Sequence, residues 1–263
     1  MTRWKAATTH LAISALIAAC VVTALYLIWY PPPLFQASGL RQFLIILLGV
    51  DVVAGPLLTF VVYKTGKRGL RFDLTLIALA QAIALSYGLH VMWEARPVYY
   101  VAAAGRVTVI TANDIPTKEL ELAKDTEYLP LPSFGARLVG AIVPTEAKSR
   151  LELLQESLSG GSDLEQRPRY YVSYPKVSSD MARRGLPVQE LLAADVEGGK
   201  NVLALLEKNS ITPDSTLYLP AKTPQRFIVA LIEKHTGAWI GFADANPLAV
   251  GQGEAQPTDR QAD

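Results

Sequence analysis

Residues 40–63 read LRQFLIILLGVDVVAGPLLTFVVY, an apolar stretch that carries an aspartate, Asp51, close to its midpoint. The hydrocarbon core of a bilayer is about 30 Å thick and a helix rises about 1.5 Å per residue, so roughly 20 apolar residues cross it. Leu40 to Tyr63 therefore predicts a transmembrane helix. The carboxyl group near the middle of this helix has a high free-energy cost inside a bilayer when it is ionised.

Two further apolar stretches flank the first, Thr8 to Trp29 before it and Leu74 to Trp93 after it. Neither contains Asp, Glu, Lys or Arg, and 50% of all residues are hydrophobic, which is high for a soluble enzyme. The stretch from Thr8 to Trp29 is disfavoured as a cleaved secretory signal, because it is about twice as long as the apolar segment of such a signal. We therefore predict three transmembrane helices within residues 1–94.

The positions of Lys and Arg predict the orientation of these helices, because short cytoplasmic connections are rich in basic residues. Arg3 and Lys5 precede the first span, and four basic residues lie between the second and the third. Only Arg41 lies between the first span and the second. We expect the amino terminus and the second connection in the cytoplasm, and the region after the third span on the opposite side.

Residues 95–243 predict one extracytoplasmic domain of mixed α and β structure, and residues 244–263 predict a disordered tail. Val98 to Ala103 and Val107 to Thr111 predict a hairpin. Helices are predicted at 117–126, 147–158, 188–192 and 200–208, and strands at 136–143, 170–172, 216–219, 227–232 and 238–242. Thr145 is the expected cap of the second of these helices, and Leu151, Leu154 and Leu158 are its expected apolar side.

Asp51 has the most specific chemistry, because a carboxylate inside a bilayer must be protonated, paired or hydrated. Gly55 and Pro56 follow it, and the proline removes a helical donor, so we predict an irregular helix near the acid. Gln81 is the partner expected first. Counting inward from the cytoplasmic ends places further polar residues near this depth, namely Ser86, Cys20 and Thr23. Two interpretations stay open: a proton-linked or assembly-specifying contact, and a neutral acid hydrogen-bonded inside a helix bundle.

Arg71 and Asp73 lie at the start of the third span. An acid near a helix amino terminus is favoured by the helix dipole, and an arginine is favoured by anionic headgroups. The pair predicts a membrane anchor, and a docking site for a partner is the alternative.

Sequence signals for catalysis, cofactors or metals are weak, and we expect a protein that is not an enzyme. The exported region has one histidine, His235, and lacks the spacings of common hydrolases. His10 and His90 are expected at membrane edges, residues 157–161 at a helix end, and the Arg183-Arg184 pair in a solvated loop. Acidic residues outnumber basic ones after residue 94, which disfavours nucleic acid as a partner.

Several short motifs give the chain a resemblance to the type IV pilin accessory proteins of bacteria. They are Arg3-Trp4-Lys5-Ala6, Trp29-Tyr30-Pro31, Gly49-Val50-Asp51, Gly55-Pro56-Leu57-Leu58-Thr59, Leu70-Arg71-Phe72-Asp73-Leu74, Gln81 and Tyr87-Gly88. The match is close across the membrane third, and across the exported region it is limited to length and general layout. The resemblance implies an inner-membrane protein with a periplasmic domain that modulates pilin stability, pilus assembly or surface display.

The resemblance also implies the partners, which are a type IV pilin or the pilus assembly machinery, in addition to the lipid bilayer. Pilins are single-helix membrane proteins with an acid in their own apolar segment, so a contact between helices is physically reasonable. A second hypothesis is a membrane-anchored periplasmic sensor or ligand-binding module that uses residues 167–174. A third, motivated by Asp51 alone, is a proton-linked transporter subunit.

Overall fold

The computed structural model describes residues 2–251. The chain forms two units. The membrane unit consists of Met1–Pro31 and Gly39–Arg96, and the carboxyl-terminal unit consists of Pro32–Ser38 and Pro97–Asp263.

Three helices of the membrane unit are long and apolar enough to cross a membrane, which confirms the predicted number of spans. They are α1 (Arg3–Ile28), the segment Leu40–Val62 and α5 (Leu70–Glu94). The middle segment comprises α3 (Leu40–Gly49), a π-helical turn (Val50–Ala54) and α4 (Gly55–Val62). Helix α1 starts before the predicted Thr8, because the Thr2 hydroxyl caps it by accepting from the Lys5 N–H.

The connection between the first two spans is part of the carboxyl-terminal unit. It contains the short helix α2 (Leu34–Ala37), whose Leu34 and Ala37 lie in that unit's hydrophobic core at 2% and 0% exposure. The Thr223 hydroxyl donates a hydrogen bond to the Ala37 carbonyl over 2.8 Å. No local sequence pattern indicates that this connection joins the domain.

Eight strands of the carboxyl-terminal unit form one mixed sheet, in agreement with the predicted α and β domain. The strands are β1 (Pro97–Ala103), β2 (Arg106–Thr111), β3 (Arg137–Ala141), β4 (Tyr171–Ser173), β5 (Leu186–Pro187), β6 (Thr216–Lys222), β7 (Phe227–Glu233) and β8 (Trp239–Ala243). Their order is β4-β3-β1-β2-β6-β7-β8, and β5 pairs with β6. The β1/β3 and β2/β6 pairs are parallel, and the others are antiparallel.

The predicted hairpins at both ends of the domain are confirmed. Strands β1 and β2 pair through Ala104 and Gly105, whose φ angles of 49° and 79° suit the tight turns that match the twist of a hairpin. Strands β7 and β8 pair around the turn at Lys234–Gly237.

Between residues 97 and 251 the carboxyl-terminal unit also contains five α-helices: α6 (Thr117–Leu122), α7 (Ala147–Leu158), α8 (Pro175–Arg184), α9 (Val188–Ala194) and α10 (Val196–Lys208). The sequence does not predict helix α8, because a proline shortly after the predicted strand 170–172 is also compatible with the end of that strand. In the structure this proline occupies the first turn of a helix, where its missing N–H costs nothing. Arg183 and Arg184 therefore end a helix and pair with Asp180, rather than lying in a solvated loop.

The predicted apolar side of α7 is wrong. Leu151, Leu154 and Leu158 are 55%, 57% and 80% exposed, whereas Leu153 is buried. Glu156, three residues beyond Leu153 on the same side of the helix, binds Arg167 over 2.6 Å. The N-cap is Glu146 and not Thr145, and no side chain caps this helix.

Residues 244–248, which the sequence assigned to a disordered tail, contact the carboxyl-terminal unit. Ala245 is buried, and the Asn246 N–H donates to the Asp195 carboxylate over 2.7 Å. The Asp244 carboxylate pairs with Arg226. The last part of the predicted tail, residues 252–263, lies outside the described residues.

Candidate intramembrane polar site

The π-helical turn around Asp51 exposes one main-chain carbonyl. In an α-helix the Asp51 carbonyl would accept from the Gly55 N–H, but that N–H donates to the Val50 carbonyl instead. The next donor along the chain would belong to Pro56, which has no N–H. The Asp51 carbonyl therefore has no partner within its own helix.

Gln81 of α5 supplies the missing donor. Its side-chain nitrogen donates to the Asp51 carbonyl over 3.0 Å. The approach depends on Gly55, because a Cβ at that position would lie 2.2 Å from the Gln81 nitrogen. The sequence predicted Gln81 as the partner of Asp51, and the structure shows that the hydrogen bond reaches the main chain of Asp51.

His10 of α1 extends this contact to the first span. Because a carbonyl only accepts, the Gln81 nitrogen faces Asp51 and Oε1 faces His10. His10 Nε2, 2.9 Å from that oxygen, is therefore the protonated ring nitrogen, and Nδ1 lies 2.6 Å from the Thr59 hydroxyl. In the neutral ring Nδ1 accepts from Thr59. A continuous set of hydrogen bonds thus joins all three spans.

The Asp51 side chain itself is 8% exposed, and its Oδ1 atom has no hydrogen-bond partner among the described residues. It lines a cavity of about 220 Å³, together with His10, Ser14 and Gln81 and with apolar residues of all three spans. A buried polar atom without a partner is costly, so its retention in an apolar setting calls for an explanation. A group from outside this chain would satisfy it.

The structure brings together four of the six predicted site residues, namely Asp51, Gly55, Pro56 and Gln81. Arg71 and Asp73 lie apart from them, at the start of α5. Asp73 is in the first helical turn and pairs with Lys67 over 2.6 Å, while Arg71 is exposed. The membrane-anchor interpretation of this pair stays a prediction.

His10, Ser14 and Thr59 are the site residues that the sequence did not single out. Three polar residues of the site each lie 11 positions from the end of their span that is expected on the cytoplasmic side. They are Ser14, counted from Arg3, Gln81, counted from Leu70, and Asp51, counted from Val62. Cys20, Thr23 and Ser86 were expected near this depth, but none of them lines the cavity. Cys20, Thr23 and Ser86 are all exposed.

A family model described as "Fimbrial assembly protein FimB" matches residues 1–39. A curated protein of Dichelobacter nodosus, "Fimbrial assembly protein, serogroups C1 and C2", is 32% identical over 116 residues, which cover 88% of that protein and 43% of this chain. The chain belongs to this family of fimbrial assembly proteins. The family resemblance inferred from the sequence is thereby confirmed.

Two longer relatives from the same organism support the family assignment across most of the chain. "Fimbrial assembly protein, serogroup I" is 27% identical over 240 residues, covering 90% of this chain and 89% of the relative. "Fimbrial assembly protein, serogroup E1" is 26% identical with the same coverage. No solved structure matches the chain. The residues matched by the family model include His10 and Ser14 of the polar site and the whole connection that enters the carboxyl-terminal unit.

A second polar network lies inside the carboxyl-terminal unit of this fimbrial assembly protein. Arg167 is fully buried and contacts Glu156 at 2.6 Å and Glu119 at 3.8 Å. Lys118 beside Glu156 holds the pKa of that carboxyl below its usual range, and Arg167 adds to the effect. The charges offset one another, and no cluster of three or more His, Cys, Asp or Glu suited to a metal occurs among residues 2–251. This network has the character of a structural one.

Proposed function

We propose that this protein is a non-enzymatic accessory factor that modulates the stability, assembly or surface display of a type IV pilin. Its relatives are named as fimbrial assembly proteins, which supports a role in fimbrial biogenesis. The observation that carries the mechanism is the unpartnered, buried carboxyl oxygen of Asp51 beside an intramembrane cavity. Polar groups in lipid favour partners, so a contact with the membrane helix of the pilin or of the assembly machinery satisfies it.

In this proposal the three spans lie in the inner membrane of a bacterium. The amino terminus is in the cytoplasm, and the carboxyl-terminal unit is in the periplasm. The basic residues before α1 and between α4 and α5 support this orientation. The packing of Leu34 and Ala37 adds support, because it puts the first connection on the same side of the membrane as residues 97–251. An odd number of spans requires that arrangement.

Enzyme fusions test the orientation. Alkaline phosphatase, which folds only outside the cytoplasm, is expected to be active when fused after Val250 and inactive when fused after Lys67. The reverse pattern overturns the periplasmic role.

Substitutions at Asp51 test the function. In cells that lack the wild-type gene, Asp51→Leu is expected to reduce surface fimbriae toward the level of the deletion, because leucine offers no polar group. Asp51→Asn keeps an acceptor and is expected to retain most of the function. Val53→Leu, on an exposed position of the same turn, is the matched control. Full fimbriation by Asp51→Leu at equal protein level contradicts the proposal.

The sensor alternative draws less support from the structure. Its most interesting surface was residues 167–174, but Arg167, Tyr171 and Tyr174 are buried and engaged within the domain. That stretch therefore offers little surface for capturing a ligand.

A further inference from the structure

The cavity beside Asp51 lies between the first and third spans. Helix α1 and helix α5 both pack against α4, and Asp51 reaches the cavity from the middle span. Each flanking helix lines it with two small residues one turn apart: Ser14 and Ala18 on α1, and Ala78 and Ala82 on α5. Small residues at this spacing are typical of surfaces where transmembrane helices approach closely.

The polar requirement of this cleft is specific. The Asp51 carbonyl, the Gln81 amide and the His10 ring all have partners within the membrane unit. The Asp51 Oδ1 atom remains, buried and unpartnered. A small-residue surface that contains one unsatisfied acceptor fits an apolar helix carrying a hydrogen-bond donor.

We propose that this cleft, lined by Ser14, Ala18, Asp51, Ala78 and Ala82, is the docking site for a single apolar helix of the fimbrial subunit. That helix contributes a hydrogen-bond-donating side chain that meets Asp51 Oδ1. The inference rests on the proposed function, which names the subunit as the membrane partner, and it adds the surface and the chemistry of recognition.

A second copy of this chain fits the cleft less well. A twofold interface pairs the same patch of both copies, which here sets one concave surface against another. Lipid tails fill the apolar part of the cleft but offer no donor. A single convex helix fills the space and supplies the missing hydrogen bond.

Photocrosslinking in intact cells tests the site. A photoreactive amino acid is placed at Ile17, which lines the cleft, or at Leu16, which lies beside it on α1 and is 65% exposed but does not line the cavity. The full chain is expressed with the fimbrial subunit of the same strain. The expected result is a subunit adduct from Ile17 at several times the yield from Leu16.

Substitutions that fill the cleft provide the second arm. Ala18→Leu and Ala82→Leu are expected to reduce the Ile17 adduct about 3- to 15-fold, because they occupy the approach surface and displace the donor from Asp51. Ala19→Leu and Ala80→Leu, exposed positions of the same helices outside the cavity, are expected to leave it unchanged. Equal protein levels and an unchanged thermal midpoint of all four variants establish that the helices still pack.

Each outcome separates this inference from the proposed function. A subunit adduct from Leu16 but not from Ile17 overturns the cleft and leaves the accessory role standing. A self-adduct from Ile17 shows that a second copy occupies the cleft and overturns the inference. Lipid adducts alone at all positions overturn both.

Discussion

Buried ionisable side chains have different surroundings in the two units of this protein. In the carboxyl-terminal unit the fully buried Arg167 is met by the Glu156 carboxylate at 2.6 Å and by the Ser162 carbonyl at 2.7 Å. In the membrane unit Asp51 is almost as deeply buried, yet its Oδ1 atom has no partner among the described residues. The comparison indicates that the carboxyl-terminal unit pairs its buried arginine internally, whereas the membrane unit leaves one buried carboxyl oxygen of Asp51 without a hydrogen bond among the described residues.

The largest expected effect concerns the satisfied network. Arg167→Leu removes the cation that Glu119 and Glu156 share, although Glu119 keeps Arg169 and Glu156 keeps Lys118 as partners. The lost buried hydrogen bonds, including the one to the Ser162 carbonyl, are expected to cost the carboxyl-terminal unit about 3 kcal/mol. Chemical unfolding of the full chain in detergent measures this loss of stability. The fluorescence of Trp239, the tryptophan of the carboxyl-terminal unit, reports the unfolding. Arg183→Leu, at a side chain 73% exposed, is the control and is expected to change stability by less than about 1 kcal/mol. Equal stability of the two variants breaks the first half of the comparison.

A smaller effect is expected at Gly55. The Cβ of Gly55→Ala meets the Gln81 amide, so we expect the membrane unit to lose about 1–3 kcal/mol through overpacking. Gly49→Ala is the matched control, since nothing lies within 4 Å of its Cβ and alanine favours a helix. Thermal unfolding in detergent is expected to separate the two variants in opposite directions. A neutral Gly55→Ala would show that Gln81 moves aside freely.

The role of Pro56 sharpens the account of the exposed carbonyl. Pro56→Ala restores an N–H that can donate to the Asp51 carbonyl, which makes the bond from Gln81 redundant. Gln81→Leu is therefore expected to destabilise the chain by about 1 kcal/mol with Pro56 present and by less in the Pro56→Ala background. A double-mutant cycle measures this coupling. Additive effects would contradict the link between the proline and the glutamine.

The smallest expected effect is a pH dependence in the β7–β8 hairpin. The Thr236 side chain and the N–H groups of Thr236 and His235 donate to the Glu233 carboxylate and lower its pKa to about 2. A pKa lower in the folded than in the unfolded chain stabilises the fold at higher pH, and this contribution is lost as the pH falls from the unfolded value toward 2. Wild type is expected to lose more stability than Glu233→Gln over that window. Parallel losses would contradict the assignment.

Much of the fold follows from local sequence patterns. The three spans, the hairpin at β1–β2 and the terminal hairpin follow from apolar run length, alternation and turn residues. Helix α8 was missed because Pro175 fits both the end of a strand and the first turn of a helix. The buried side of α7 differs from the one that the leucine spacing predicts, because the side that contains Leu153 also carries Glu156, whose partner Arg167 is distant in sequence.

The candidate site was accessible from sequence only in part. The sequence identifies Asp51, Pro56 and Gln81 as candidates, because polar residues and proline are unusual in a transmembrane helix. The sequence does not identify His10 as a site residue, because its position close to the basic residues of the amino terminus predicts a residue at the membrane edge. The packing of Leu34 and Ala37 into the carboxyl-terminal unit is a tertiary contact between distant segments, which no local pattern encodes.

Retention of the fimbrial subunit by the purified full-length protein in mild detergent is the most direct test of Asp51 as a partner contact. Wild type and Asp51→Asn are expected to retain the subunit, and Asp51→Leu is expected to retain about 3- to 15-fold less, as the loss of one intramembrane hydrogen bond implies. Equal retention by wild type and Asp51→Leu, with both proteins folded, would contradict the account.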